Sequence, residues 1–214
     1  MLRFAVLLAL LAVAGCNGDD SGTIKGSGIS KTESRPVEKF TAIELDVGRL
    51  TVEQSGTESL TVTADDNLLA LFTTEVKGGT LHLSVAKGKN FSGTGPVFAV
   101  TAATLRSLGI NGSGGIQASK LDGDTLSVSI AGSGSAKLAG RAAELKLSIS
   151  GSGSVDAAQL QARRAKADIS GSGSLTINAS DELDASVSGS GTIWYIGSPK
   201  VKSDVSGSGS IRRK

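Results

Sequence analysis

Apolar or small residues recur at every second position in five separate runs along the later half of the chain. The sets are Leu126, Val128, Ile130; Leu145, Leu147, Ile149; Ala165, Ala167, Ile169; Leu183, Ala185, Val187; and Val201, Ser203, Val205. The opposite parity is polar: Ser127 and Ser129, Lys146 and Ser148, Lys166 and Asp168, Asp184 and Ser186, Lys202 and Asp204. Strict alternation of this kind predicts strands buried on one side. Each run ends in Gly-Ser-Gly, and an earlier triplet follows the less regular run Leu105 to Ile110. The triplets begin at Gly112, Gly132, Gly151, Gly171, Gly189 and Gly207, at intervals of 20, 19, 20, 18 and 18 residues. A second short strand follows most of them: Ala136-Lys137-Leu138, Val155-Asp156-Ala157, Leu175-Thr176-Ile177 and Ile193-Trp194-Tyr195.

A strand, a fixed corner and another strand at this interval restrict the architecture. Flexible Gly/Ser linkers are not spaced regularly behind amphipathic strands, helical repeats would carry a 3.6-residue period, and propeller blades need about 40 residues. What fits is an all-β, parallel β-helix or β-solenoid with Gly-Ser-Gly coils of 18–20 residues. In such a stack equivalent residues lie about 4.8 Å apart. The inward parity then forms aliphatic ladders, and glycines stand where the chain turns too sharply for a Cβ. Ser113, Ser133, Ser152, Ser172, Ser190 and Ser208 are expected to form a hydroxyl ladder bonded along the axis.

Upstream, alternation recurs in Ile43 to Val47, Leu50 to Glu53, Leu60 to Ala64 and Leu81 to Val85, read here as the first coils of the same solenoid. Asp65 to Glu75 has Leu68, Leu69 and Phe72 at helical spacing and suits a short helix or a bent strand, and Lys87 to Pro96 reads as an exposed loop. The expected organisation is a leader over 1–15, a polar Gly/Ser-rich tether over 16–36 and one solenoid domain over 37–214.

The leader has one basic residue, Arg3, and an apolar run of 11 residues from Phe4 to Ala14. That is far short of the roughly 20 needed to cross a bilayer as a helix. It ends Val13-Ala14-Gly15-Cys16, which resembles the bacterial lipobox, in which small residues precede a lipidated cysteine. The single Cys of the chain stands at the position this chemistry requires. The resemblance implies lipid attachment at Cys16 and membrane anchoring through that lipid. Asn17 in place of an Asp points to the outer membrane of a bacterial envelope.

Composition narrows the chemistry further. With 22 Lys+Arg against 20 Asp+Glu, a chain this balanced has no electrostatic reason to sit on nucleic acid, which needs clustered positive charge. One His and one Cys build neither a His/Cys zinc site nor a disulfide framework, and any His-dependent nucleophile would hang on His82. His82 is expected on the polar side of its strand without an acid beside it. Asp168 and Asp204, two coils apart, would stand about 9.6 Å from each other, near the spacing of inverting glycosidases. Lys166 and Lys202 beside them favour the ionised carboxylate, the wrong form for a general acid. Asp19-Asp20 and Asp65-Asp66 read as tether and turn residues. No cofactor or metal ligand set is expected. Trp194 and Tyr195 must face opposite ways on one strand: either the outward ring is a sugar or protein contact, or one ring plugs the core near Pro199 and the other packs on a loop. Arg212, Arg213 and Lys214 are expected just past the last coil, where they discourage end-to-end stacking.

Three segments, LRSLGINGSG from Leu105, the repeated ISGSGS from Ile149 and Ile169, and IWYIGSP from Ile193, carry a family likeness. Over about Phe40 to Ile211 the sequence resembles the "putative auto-transporter adhesin, head GIN domain" family of bacterial envelope proteins. The resemblance implies a right-handed solenoid exported to the envelope; it brings no ligand and no functional residues. The expected function is a non-enzymatic envelope lipoprotein used for adhesion, binding or a structural role, with a polysaccharide or protein as ligand. The alternatives are a polysaccharide-active β-helical enzyme and a scaffold or sensor module. The oligomeric state stays open.

Overall fold

A computed structural model describes residues 22–214. Cys16, the leader and Asp19-Asp20 lie outside the described residues. Short strands come first: β1 (Thr23–Lys25), β2 (Ser30–Ser34), β3 (Ala42–Leu45), β4 (Arg49–Gln54) and β5 (Ser59–Asp65). After a single 3-10 turn at Leu69–Leu71 follow β6 (Phe72–Lys77), β7 (Thr80–Val85), β8 (Asn90–Ser92), β9 (Val97–Ala102) and β10 (Ser107–Gly112). Four long strands carry the repeat: β11 (Gly115–Gly132), β12 (Ser135–Gly151), β13 (Ser154–Gly171) and β14 (Ser174–Gly189). The described chain closes with β15 (Thr192–Ile196), β16 (Lys200–Gly207) and β17 (Ser210–Arg213).

From β10 onward every pairing is parallel and, apart from bulges in the long strands, in register, so the molecule is a β-solenoid. Leu108, Val128, Leu147, Ala167 and Ala185 stack in one inward column, and Ile110, Ile130, Ile149, Ile169 and Val187 in the next. Past the corner a third column runs Ile116, Ala136, Val155, Leu175, Ile193 and Ile211. All but the terminal Ile211 are buried. Each buried Val, Leu or Ile contributes about 1.5–3 kcal/mol, so these columns dominate the folding energy. The long strands are not straight. Register breaks at Ala118/Leu121, Lys137/Ala139 and Ala157/Gln161 bend each one onto a short third face.

The two glycines of each triplet are needed for different reasons. The first has φ of +126° at Gly132 and +127° at both Gly151 and Gly171, a region closed to side chains. The second has no such φ but is buried under the preceding coil: a Cβ on Gly153 would stand 2.7 Å from Ile130 Cγ2. Bonds along the axis at this corner are made by main chain. The Ser152 and Ser154 N–H groups donate to the Gly132 and Gly134 carbonyls at 2.9 and 3.0 Å. The anticipated hydroxyl ladder is corrected accordingly: Ser113, Ser133, Ser152, Ser172, Ser190 and Ser208 are exposed, and it is the amides of Ser133, Ser152, Ser172 and Ser190 that bond along the axis.

The first half departs from a plain succession of coils. β3 and β4 form a coil, but its outer neighbours are the later strands β7 and β9, and the chain then returns to place β10 on the other side of β3. Antiparallel pairs β5–β9, β6–β7 and β2–β5 cover this end. Alternation alone does not distinguish parallel from antiparallel neighbours, because both bury one parity. The segment expected as helix or bent strand resolves into the 3-10 turn followed by β6, and its Leu68, Leu69 and Phe72 close over the core. Phe91, in the expected loop, packs edge-on against Phe72 at 5.1 Å between ring centroids.

Within the expected 16–36 tether, the described residues 22–36 differ from a flexible segment. β1 pairs with β8 and β2 with β5, so the chain is held from Thr23 onward. Its partners are polar groups, which hydrophobic patterning does not register. Gly28 N–H donates to Asp65 Oδ2 at 3.1 Å, Asn67 Nδ2 to the Lys25 carbonyl at 2.8 Å, and Ser27 Oγ to Asp66. Arg35 completes the clamp, donating from Nη2 to the Leu69 carbonyl at 2.8 Å and from Nη1 to the Phe72 carbonyl.

Candidate functional site

Because coils stack in register, any outward residue type repeated at one phase becomes a line along the axis. On the third face, where the strands bulge, one line reads Asp122, Arg141, Gln161 and Asn178. Behind it lies the small column Gly123, Ala142, Ala162 and Ala179. The missing side-chain volume opens a groove of about 530 Å³, floored by Gly123, Ala142, Ala143 and Ala162. Its rim carries Asp122, Arg141, Gln161, Arg163, Asn178 and Ser180.

The rim is ordered by short polar contacts. Gln54 fixes one end, its amide donating to the Asp122 carbonyl at 2.8 Å and accepting from the Asp122 N–H at 3.2 Å. Arg141 Nη2 lies 3.3 Å from Asp122 Oδ2, and Arg163 Nε 3.2 Å from Asp181 Oδ2. Hydrogen bonding from Ser180, then from Arg163, holds the Asp181 carboxyl below its ordinary value. These ion pairs are exposed, so both guanidiniums exchange partners at little cost. The groove therefore offers hydrogen-bond donors and acceptors over an apolar floor. Sequence reasoning did not single out these residues. Their common phase within the repeat was visible, but the bulges displace it from the alternation that marks the other faces.

The residues singled out beforehand are dispersed. Asp168 and Asp204 share a column, with Ser186 between them. Lys166 Nζ stands 3.9 Å from Asp168 Oδ2, and Lys202 pairs with Asp184 at 3.7 Å. Beside them Glu144 accepts from Arg164 at 2.6 Å, and that bond holds its carboxyl below the ordinary value. Among the described residues no three His, Cys, Asp or Glu side chains group as metal ligands. The expectation that His82 lacks an acid is corrected: parallel pairing brings Glu44 Oε2 to 3.2 Å from its Nδ1, and Glu75 is its partner across the antiparallel pair. Tyr195 packs against the core, which turns the half-exposed Trp194 to the outer face beside Arg212. Arg212 and Arg213 lie within β17 itself rather than past the last coil, since the second strand of the final coil also forms.

Comparison with other proteins gives a consistent picture of shape. The family described as "putative auto-transporter adhesin, head GIN domain" matches residues 39–199. A Bacteroides fragilis protein of known crystal structure, described as a "putative adhesin", is 28% identical, with 89% of this chain and 100% of that chain covered and a TM-score of 0.74. A Parabacteroides distasonis protein described as a "putative lipid binding protein" is 26% identical over 90% of this chain and 100% of its own, with a TM-score of 0.56. Another from Parabacteroides distasonis, a "putative adhesin", shares the fold at 22% identity and a TM-score of 0.59, covering 90% of this chain and 100% of that one. None of these is described as an enzyme. No curated protein matches the chain.

Proposed function

Because this chain belongs to the "putative auto-transporter adhesin, head GIN domain" family, we propose that it is a non-enzymatic binding module of the bacterial envelope. It holds an extended polymer, a polysaccharide or a protein segment, along its third face. The observation that carries this reading is the groove, whose floor follows the in-register column Gly123, Ala142 and Ala162 and whose rim follows Asp122, Arg141, Gln161 and Asn178. A groove that runs along stacked coils presents a hydrogen-bonding side chain at each coil, so weak hydrogen bonds sum along a linear ligand. The dispersed carboxylates and the exposed ion pairs favour binding over a polysaccharide-cleaving reaction.

The lipid at Cys16 supplies location in this reading. From Cys16 to Thr23, where β1 starts, the chain reaches at most about 25 Å at 3.3–3.6 Å per residue. The β1–β8 end of the solenoid then stays near the outer-membrane surface and the groove runs away from it. A glycan and matrix-protein binding panel, run with the parent chain and with Gln161→Ala/Arg163→Ala, tests the groove. The double variant should lose at least tenfold in affinity for any ligand found, and undiminished binding refutes the site. Labelling with a palmitate analogue should vanish in Cys16→Ser; persistent label refutes the anchor.

A further inference from the structure

The two ends of the solenoid are finished differently. At the β6 end the core is plugged by Leu68, Leu69 and Phe72, and Arg35 binds the carbonyls of the turn that carries them. At the other end β16 pairs with β14 and β17 with β15, and among the described residues nothing pairs with their outer edges. Every residue of β16 is exposed. The inward columns end there unroofed: Val201 and Val205 are 37% and 42% exposed, whereas Leu183 and Val187, one rung below, are 1% exposed.

An unpaired edge leaves alternate N–H and C=O groups free, and such edges accept added strands. The charge on this one is lopsided. Lys200, Lys202, Arg212, Arg213 and Lys214 face a single carboxylate, Asp204, within the two strands and Lys214. The Lys202–Asp184 contact is loose at 3.7 Å and leaves the lysine side chain 83% exposed. We propose that this edge docks an extended acidic segment of a partner protein, which adds a strand to the open coil, covers the two valines with alternate apolar side chains and sets carboxylates against the cations. Backbone pairing and apolar alternation require a peptide; lipid headgroups and glycans have neither. A second copy using the same edge would bring two cationic strips together, which like-charge repulsion opposes. This site is separate from the third-face groove and does not depend on it.

The test uses the full chain and a labelled eight-residue peptide of alternating Glu and Val, followed by fluorescence anisotropy. Two comparison peptides are its Lys/Val counterpart and a Glu/Val peptide methylated at alternate backbone nitrogens. The Glu/Val peptide should bind at least tenfold more tightly than either, and Lys202→Glu/Arg212→Glu should weaken it at least tenfold with an unchanged circular-dichroism spectrum. Gln161→Ala/Arg163→Ala should leave it unaltered, so failure here and failure of the groove are read separately. The proposal is overturned by absence of saturable binding, by equal binding of the methylated peptide, by dimers in light scattering that Lys202→Glu abolishes, or by preference for phosphatidylglycerol vesicles over the peptide.

Discussion

Three glycine-to-alanine changes separate backbone conformation from packing at the repeated corner. Gly151 combines both demands: its φ is +127°, and an added Cβ would stand 2.5 Å from the Gly132 carbonyl oxygen, which already accepts from Ser152. Gly153 carries only the packing demand, with Ile130 Cγ2 at 2.7 Å and the Gly134 oxygen at 2.8 Å. Gly123 carries neither, since nothing lies within 4 Å of its would-be Cβ. Holding a non-glycine residue in a forbidden φ region costs about 1–3 kcal/mol, and overpacking costs a further ~1–3 kcal/mol. Gly151→Ala should therefore destabilise by about 2–6 kcal/mol and Gly153→Ala by about 1–3 kcal/mol. Gly123→Ala should be neutral or stabilise by about 0.4–1 kcal/mol, through the unfolded chain. Thermal unfolding followed by circular dichroism reads the series, at about 2–4 °C of Tm per kcal/mol for a chain of this size. Gly151→Ala and Gly123→Ala with equal Tm would refute the stacked-corner geometry.

Depth in the column should decide the cost of truncation: Ile169→Ala, at 2% exposure, should lose about 2–5 kcal/mol, while Val205→Ala on the open coil should lose under about 1 kcal/mol, both by urea unfolding. Arg35→Ala strands the Leu69 and Phe72 carbonyls and should destabilise the β6 cap by about 1–3 kcal/mol, seen as faster hydrogen exchange of residues 68–77 with the coils from β11 onward unaffected. Arg164 lowers the Glu144 pKa below the ordinary 4.5, so the unfolded chain binds more protons between the two values. The small stabilisation from this exposed pair is therefore present above pH 4.5 and lost as pH falls through the depressed value. The difference in urea midpoint between the parent and Glu144→Gln should shrink over that descent, and a difference that grows would refute the sign.

Much of the solenoid is legible in the order of residues because each coil solves one problem in one way. Ile110, Ile130, Ile149 and Ile169 recur because each lies on the last, and each supplies the wall against which the glycine of a following corner must fit. The groove was not legible to the same degree. Ala142 and Ala162 look like weak strand residues until the bulges turn them onto a third face, where their small size becomes a floor. Nor does His82 announce Glu44, 38 positions away in the chain, because that contact depends on which strand neighbours β7.

Period-two alternation and the recurring triplet by themselves determined that the chain is all-β, that its later coils stack in parallel, and which parity faces inward; these are local consequences of burying one side of a strand and turning it with glycine. Only the tertiary structure decided that β7 and β9 stack outside β3 and β4, that β2 and Arg35 close one end, and that among the described residues nothing pairs with the outer edge of β16. Those outcomes rest on the choice of neighbour at a sheet edge. Edge hydrogen bonds are made by backbone groups common to every residue, so the sequence carries only faint marks of which strand fills each place.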